Sequence, residues 1–508
     1  MNLQNEPEKL QKTNSASRVP PWISLLTGEQ SPRCCDKISS FAVSHRLVQF
    51  EEILLAASQS VAGPGRLPEL KDIKNMERIL TRELKQQVGK TVRIAGWMHG
   101  LRQLSKVNFL LLRDASGIAQ VVVDAKPEMQ LLGTLHLESV LEIEGEVVAE
   151  KNAPGGVEIH RPRITVVSKV KEVVPFSINK GVLNVNIDTF LDHAYFGLRH
   201  PDRSNIFKLS AAVMRGFRQH LEAEGFVEIT TPKIVASATE GGANVFALDY
   251  FDRKAFLAQS PQFYKQMMVG VFERVFEVAP VFRAEPHSTT RHLNEYVSLD
   301  VELGFIKDHT TVMQVLNRLI RAMQQHLEET MAPELTSLNV HMPLAPEQFP
   351  AISFVEAQNL IAERYGEDCR HEPDLSPQHE RWLCEWAREA HNSDYLFVTG
   401  FPMSKRPFYT HPDPSDRRYA NGFDLLFRGL ELVTGGQRLH LYEDYVQTLD
   451  ERGLPLEPFA GYLDAFRFGM PPHGGFAIGL ERFLMQVLGL TNVREATLFP
   501  RDVNRLTP

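Results

Sequence analysis

The sequence predicts an α+β protein in which an antiparallel sheet flanked by helices follows a small all-β barrel. Three observations carry this. Five short runs rich in β-branched and aromatic residues (91–97, 109–113, 118–123, 140–148 and 157–166) are separated by turn residues, the pattern of a five-stranded barrel for which the OB-fold is the usual solution. From about Thr189 the chain changes to long amphipathic helices mixed with strands. Regular strand–helix alternation of the parallel kind is missing, as is a Gly-x-x-x-x-Gly-Lys-Ser/Thr loop, so a nucleotide would have to be held by side chains on an antiparallel sheet.

A chain of 508 residues is too long for one core and calls for two or three domains. Its 43% hydrophobic and 23% charged residues are ordinary for a soluble globular protein, and no apolar run is long enough to cross a bilayer. Four cysteines, Cys34, Cys35, Cys369 and Cys384, offer neither zinc spacing nor a disulfide framework, which fits a reducing cytoplasm. Residues 1–75 mix Ser, Pro, Gly and Gln without a lasting period and lack a secretory pattern. They read as an extension, disordered or loosely helical, or as sequence upstream of the start that the cell uses. The barrel segment, 76–172, is mildly basic: 14 Lys+Arg face 11 Asp+Glu between Met76 and Lys171, against a net charge of -8 for the chain. A local patch of that kind is enough to hold RNA. A linker at 173–188 contains Pro175 and Gly181. In the body, 189–508, the spacing of Ile206, Leu209, Val213, Phe217 and Leu221 makes one apolar helix stripe, explained by core or dimer packing. Residues 345–400, with Trp382 and Trp386 on a charged helix, read as an insertion between strand groups.

Charged residues recur on two adjoining strands of the body. Arg283 and Glu285 lie two apart after an apolar run, and Ser298, Asp300 and Glu302 alternate in the same way on the next. A loop containing Arg291 and His292 joins them, so a guanidinium and several carboxylates would share one face of a sheet. Near the C-terminus a glycine-punctuated strand, 474–479, enters a helix with Arg482 in its first turn, where the macrodipole mildly disfavours a cation. An arginine placed there at some cost suggests a base or a phosphate as its partner.

These two segments resemble motif 2 (about 275–304) and motif 3 (about 474–490) of class II aminoacyl-tRNA synthetases, and 205–232 resembles motif 1. The span from about Glu77 to Pro508 resembles the archaeal-type aspartyl-tRNA synthetases of class IIb. The resemblance implies a six- or seven-stranded antiparallel sheet, a homodimer formed through motif 1, and ATP and Mg2+ as substrate and cofactor. It makes Arg283 the bridge between the attacking carboxylate and the α-phosphate. Glu285 receives the adenine amino group, His292 and Arg482 approach the γ-phosphate, and Arg482 covers one adenine face. Arg291 reaches phosphate or the tRNA end. Tyr296 is matched to the opposite adenine face, with core packing as the other reading. Asp424, Glu431 and Thr434 match the metal site, Glu431 also serving ATP. Asp424 and Glu431 are seven apart, so strict alternation places them on opposite faces unless a turn near Gly429 intervenes; structural ion pairs with Arg428 and Arg438 are the alternative.

The run 259–266 resembles the signature of the aspartate enzymes. Lys265 and Arg438 would meet the β-carboxylate, because a desolvated carboxylate needs cationic partners. Asparagine would leave both unpaired and be rejected. The α-ammonium would face Glu240, Gln262 and Asp300, with Thr434 also on the aspartate side. Glu240 lies in a glycine-rich loop able to close over the amino acid. On the barrel, Phe109, Gln120 and Glu158 match the anticodon contacts, one to stack and two to read base edges. His99 and Pro154 occupy positions that go with relaxed reading of the third anticodon base. The expectation is a cytoplasmic enzyme that ligates L-aspartate to tRNA(Asp) and also tRNA(Asn), with no membrane partner. Alternatives are an asparaginyl-tRNA synthetase, a tRNA-independent asparagine synthetase, or a non-catalytic RNA-binding relative.

Overall fold

Alternation in the N-terminal strands closes a barrel in the computed structural model of the protein, which describes residues 76–104, 107–236 and 244–507. The readings for residues 1–75 and for Glu240 lie outside the described residues. From Arg78 onward the chain forms one unit. Strands β1 (Thr91–Gln103), β2 (Asn108–Arg113), β3 (Ile118–Val123), β4 (Val140–Ala149) and β5 (Val157–Ser168) join in the order β1-β2-β3-β5-β4. Ile94, Leu110, Leu112, Val121, Ile143 and Ile159 fill the interior. The alternate positions Phe109, Gln120 and Glu158 therefore face outward. In β1 the register slips between Met98 and Gly100, which leaves His99 as the extra residue of a bulge.

The body adds β6 (Val227–Glu228), β7 (Ile234–Val235), β8 (Ala247–Tyr250), β9 (Arg253–Leu257), β10 (Arg274–Phe282), β11 (Glu295–Gly304), β12 (Ala351–Ser353), β13 (Tyr395–Thr399), β14 (Gly422–Phe427), β15 (Leu430–Gln437) and β16 (His473–Gly479). Eight of these form one sheet, ordered β12-β13-β14-β15-β16-β11-β10-β6, and β7-β9-β8 form a smaller one. The large sheet is antiparallel from β13 to β10, with parallel pairs at both edges. Eight strands exceed the expected six or seven. The two edge strands are three and two residues long, too short to leave a periodic run.

Helix α1 (Pro201–Ala223) starts at a proline, whose fixed φ suits the first turn, and His200 caps it by accepting from the Asp202 N–H. The stripe Ile206, Leu209, Val213, Phe217 and Leu221 is buried against Leu316, Ile320 and Met323 of a second long helix, His309–Thr330, and against the sheet. Core packing thus accounts for it. The segment expected as an insertion instead supplies β12 and β13. It also supplies helix Pro377–His391, whose Leu383 and Cys384 pack on Leu396 and Val398. Among the described residues no helix is long and apolar enough to cross a membrane.

Candidate active site

Helix α2 (Gln262–Phe272) drives Lys265 under the sheet. Its Nζ donates to Asp300 Oδ1 at 3.1 Å and to the carbonyl of Phe476 at 3.1 Å, and lies 3.3 Å from Glu302 Oε2. Arg438, just past β15, donates from Nε to Glu302 Oε1 at 3.0 Å and from Nη2 to the Gly475 carbonyl at 2.9 Å. One carboxylate therefore joins the two cations. Glycine at 475 is obligatory, since a Cβ there would meet Val301 O at 2.1 Å and Glu302 Oε2 at 2.2 Å. Lys265, Arg438, Asp300 and Glu302 are 1%, 6%, 1% and 0% exposed. Burial alone would raise the Glu302 carboxyl, yet Arg438 and Lys265 hold it below its ordinary value.

A polar network backs this end. The Gln266 carboxamide accepts from Gln262 Nε2 and from the Tyr462 hydroxyl, each at 3.0 Å. It donates to the Tyr445 hydroxyl at 3.2 Å and to His473 Nε2 at 3.0 Å. His473 Nδ1 then donates to the Pro471 carbonyl at 2.9 Å, a tautomer assigned from these partners. Burial pushes His473 down to about 4, so the ring is neutral at physiological pH. Gln262 is thus fixed beside Lys265.

The other end is made by the loop between β10 and β11 and by α3 (Leu480–Leu488). The Asn294 side chain donates to the Arg283 carbonyl at 2.6 Å, while the Arg283 N–H donates to Asn294 O at 2.9 Å. The hairpin so clamped carries the Arg283 guanidinium 6.0 Å over the Tyr296 ring and 3.9 Å from Glu285. His292 Nδ1 contacts Thr289 Oγ1 at 2.6 Å, and burial together with Arg482 lowers its pKa. Arg482 donates to the carbonyls of Arg291 and Glu431, each at 3.4 Å. Arg291 lies 3.5 Å from Glu380, on helix Pro377–His391. A cavity of about 400 Å³ is lined by Lys265 and Arg438 at one end and by Arg283, Glu285, His292 and Arg482 at the other. Gln262, Arg291, Tyr296, Glu431 and Thr434 line it too, whereas Asp300 stands behind the wall, through Lys265, and Asp424 behind Arg406.

Asp424 and Glu431 share a face for a reason that alternation hides. The turn between β14 and β15 uses Arg428 and Gly429, both at positive φ, and Asp424 pairs with Thr434 across the hairpin. The register then slips between Leu425 and Leu426, so Leu432 is extra and Glu431 comes round to the side of Asp424. Thr434 Oγ1 donates to Glu431 Oε1 at 2.9 Å. The alternative pairing does not occur: Arg428 pairs with Asp394 and Arg438 with Glu302. Asp424 instead receives a bidentate fork from Arg406, 3.0 Å to each oxygen. Its carboxyl is pushed up to about 6 by burial, with Arg406 opposing and Glu431 adding to the rise. Glu431 and Thr434 present hard oxygens to the cavity, and with Asp424, once its fork from Arg406 is released, they would suit a hard divalent cation. Among the described residues no group of three His, Cys, Asp or Glu side chains is assembled for one. Glu380, which accepts from the Glu431 N–H at 3.3 Å, is pushed up to about 7 by burial and by Glu431.

On the barrel, Gln120 Nε2 donates to Glu158 Oε2 at 2.9 Å across the β3–β5 pair, and Phe109 sits diagonally on the same outer face. Pro154 is exposed in the turn before β5. His99 is 6% exposed and lies against Glu138, 3.9 Å away, where the bulge aims it.

A family of class II tRNA synthetases (D, K and N) matches residues 186–503, and an OB-fold nucleic acid binding domain matches 92–167. The chain belongs to the class II tRNA synthetases. The "Aspartate–tRNA(Asp/Asn) ligase" of Thermus thermophilus is 46% identical over 434 residues, 85% of this chain and 100% of the relative. That of Deinococcus radiodurans is 46% identical over 439 residues, 85% and 99%. The "Aspartate–tRNA(Asp) ligase" of Pyrococcus horikoshii is 39% identical, covering 84% and 98%. Among solved structures, asparaginyl-tRNA synthetase from Pyrococcus horikoshii with asparaginyl-adenylate superposes with TM-score 0.80 at 32% identity, covering 85% and 100%. Aspartyl-tRNA synthetase from Entamoeba histolytica gives 0.77 at 30%, covering 88% and 97%. The fold class, the resemblance to aspartyl-tRNA synthetases and the standing as an aminoacyl-tRNA ligase are borne out. Synthetases of this class use ATP and a divalent metal.

Sequence reasoning assigned no role to Glu302, Arg406, Glu380 or Gln266. Glu302 left a signal in its alternation with Asp300, and Gln266 in closing the signature run 259–266. Arg406 and Glu380 are single charges reaching in from distant segments, with no spacing to mark them.

Proposed function

We propose that the synthetase ligates L-aspartate to tRNA(Asp), and to tRNA(Asn) as well, through an aspartyl-adenylate. The observation that carries the choice of amino acid is the meeting of Lys265 and Arg438 across Glu302, at the end of the cavity that Arg283 also lines. There the β-carboxylate of aspartate meets two buried cations and Gln262 takes the α-ammonium, while Asp300 holds Lys265 in place from behind the wall. An asparagine amide would offer the remaining donors of this cluster a neutral group, half of it a donor itself, in place of a charged acceptor, a penalty of several kcal/mol.

In the first step an α-carboxylate oxygen attacks the α-phosphorus of ATP, and the bond to pyrophosphate breaks. The Arg283 fork holds attacking and attacked groups together. Glu285 takes the adenine amino group, Tyr296 and Arg482 flank the ring, and His292, Arg291 and Arg482 receive phosphate. Mg2+ held by Asp424, Glu431 and Thr434 would neutralise charge on the departing pyrophosphate. A terminal ribose hydroxyl of the tRNA then attacks the adenylate carbonyl and AMP leaves. Phe109, Gln120 and Glu158 read the anticodon.

Dual tRNA use is supported by His99 and Pro154, and by the names of the Thermus and Deinococcus relatives, which cover both tRNAs. A homodimer is supported by exposed Val227, Val271, Phe272 and Phe305 beside motif 1. The cytoplasm is the expected location. Asparaginyl-tRNA synthesis is the second reading, favoured by the Pyrococcus superposition, and the buried Lys265 weighs against it. Charging purified tRNA(Asp) and tRNA(Asn) with aspartate tests the proposal. Both should be acylated; failure on tRNA(Asn) overturns dual use, and failure on both overturns the assignment.

A further inference from the structure

Glu138 lies in the turn before β4, away from the cavity, and is 4% exposed. It accepts from Arg113 Nη2 at 2.6 Å and from Arg199 Nη1 at 3.3 Å. Arg113 ends β2 of the barrel, whereas Arg199 lies two residues before α1, next to its cap His200, so its backbone leads into motif 1. Arg113 also donates from Nη1 to the Arg199 carbonyl at 2.8 Å. Both guanidiniums lie over the Trp97 ring of β1, 5.3 and 5.8 Å from its centroid. Their stacking on an aromatic face and their shared carboxylate let two like charges sit together.

The backbone of Glu138 is strained to reach this place. Its φ of 69° is in the left-handed region, which costs a non-glycine residue about 1–2 kcal/mol. The Glu138 N–H donates to Met98 O at 2.8 Å, anchoring the strained residue to the bulge that carries His99. Nothing in the chemistry of the cavity uses this carboxylate. A surface loop with no task beyond closing the barrel has no need of a strained, buried anion shared with the catalytic body.

We propose that Glu138 is a positioning residue for tRNA: with Arg113 and Arg199 it fixes the barrel to the segment entering motif 1, so that an RNA gripped at the anticodon presents its far end to the cavity. The inference rests on the reading of Phe109, Gln120 and Glu158 as the anticodon face. A small rotation at the joint is magnified along the RNA, and misplacement of a reacting end by about 1 Å can cost about 100-fold in rate. Adenylate formation needs no such alignment.

The test uses the full chain with Glu138→Gln and Arg199→Lys, measured in three ways. In Glu138→Gln, aspartate-dependent ATP–pyrophosphate exchange and affinity for an anticodon stem–loop RNA should each stay within about twofold, while kcat/KM for charging whole tRNA falls about tenfold, mostly in kcat. Arg199→Lys keeps the charge and loses the planar group over Trp97, so a smaller loss in the same direction is expected. The proposal is overturned if charging is unchanged. It is equally overturned if exchange falls in step, which marks a general structural role, or if stem–loop binding falls in step, which makes Glu138 part of the RNA face. Phe109→Ala checks the underlying reading separately: it should weaken stem–loop binding, and if it does not, the anticodon face is misassigned whatever Glu138 does.

Discussion

At the end of the cavity proposed for the amino acid, Lys265 and Arg438 are all but sealed from water, and each is paired with carboxylate before any substrate arrives. At the end proposed for the nucleotide the Arg283 side chain is 41% exposed and that of Arg291 is 30%, and their carboxylate neighbours stand 3.5–3.9 Å away. The contrast suits what each end is proposed to recognise. A small acid is told from its amide by one group, so the cations must be rigid and dry, where an unmatched partner is costly. A triphosphate brings its own large charge and its metal, so partly exposed arginines on a hairpin loop, with half-buried Arg482 at a helix start, suffice to receive it.

The largest effect that would sharpen this comparison is on stability. Lys265→Ala leaves Asp300 and Glu302 short of a cation in the interior and should cost about 3–5 kcal/mol in denaturant unfolding, with aspartate-dependent exchange lost as well. Arg283→Ala should do the reverse: exchange falls about 100- to 1,000-fold, while unfolding shifts by no more than about 0.5 kcal/mol. Equal destabilisation by both substitutions would break the distinction between a prepaid end and a waiting one.

A smaller effect concerns pH. In the metal-free protein Glu380 titrates at about 7, above its ordinary 4.5, because of burial first and Glu431 second. Between those values the folded form binds the extra proton, so stability falls as pH rises from about 4.5 through 7. Glu380→Gln removes the charge and keeps an acceptor for the Glu431 N–H. It should gain about 1 kcal/mol over the parent at pH 8 in thermal unfolding and gain nothing at pH 4. A gain independent of pH would mean that charge is not the cause.

The two ends also differed in how far they could be read from the chain. The barrel strands and Asp300 were legible because period-two alternation survives wherever one face is buried. Lys265 and Arg438 are 173 positions apart in sequence, and only the resemblance of the segment at 259–266 brought them together. Glu431 resisted because a single extra residue, Leu432, reverses the face that alternation assigns. β6 and β12 resisted because two or three residues hold no period. Arg406 gave no sign at all, since its partner Asp424 lies across a connection that no local pattern describes.

The central claim is that buried Lys265 and Arg438 select a carboxylate over an amide. ATP–pyrophosphate exchange with the purified chain, comparing L-aspartate with L-asparagine at equal concentration, tests it most directly. The account predicts exchange with aspartate and a kcat/KM for asparagine lower by at least about 1,000-fold. Exchange with asparagine equal to or above that with aspartate would contradict it.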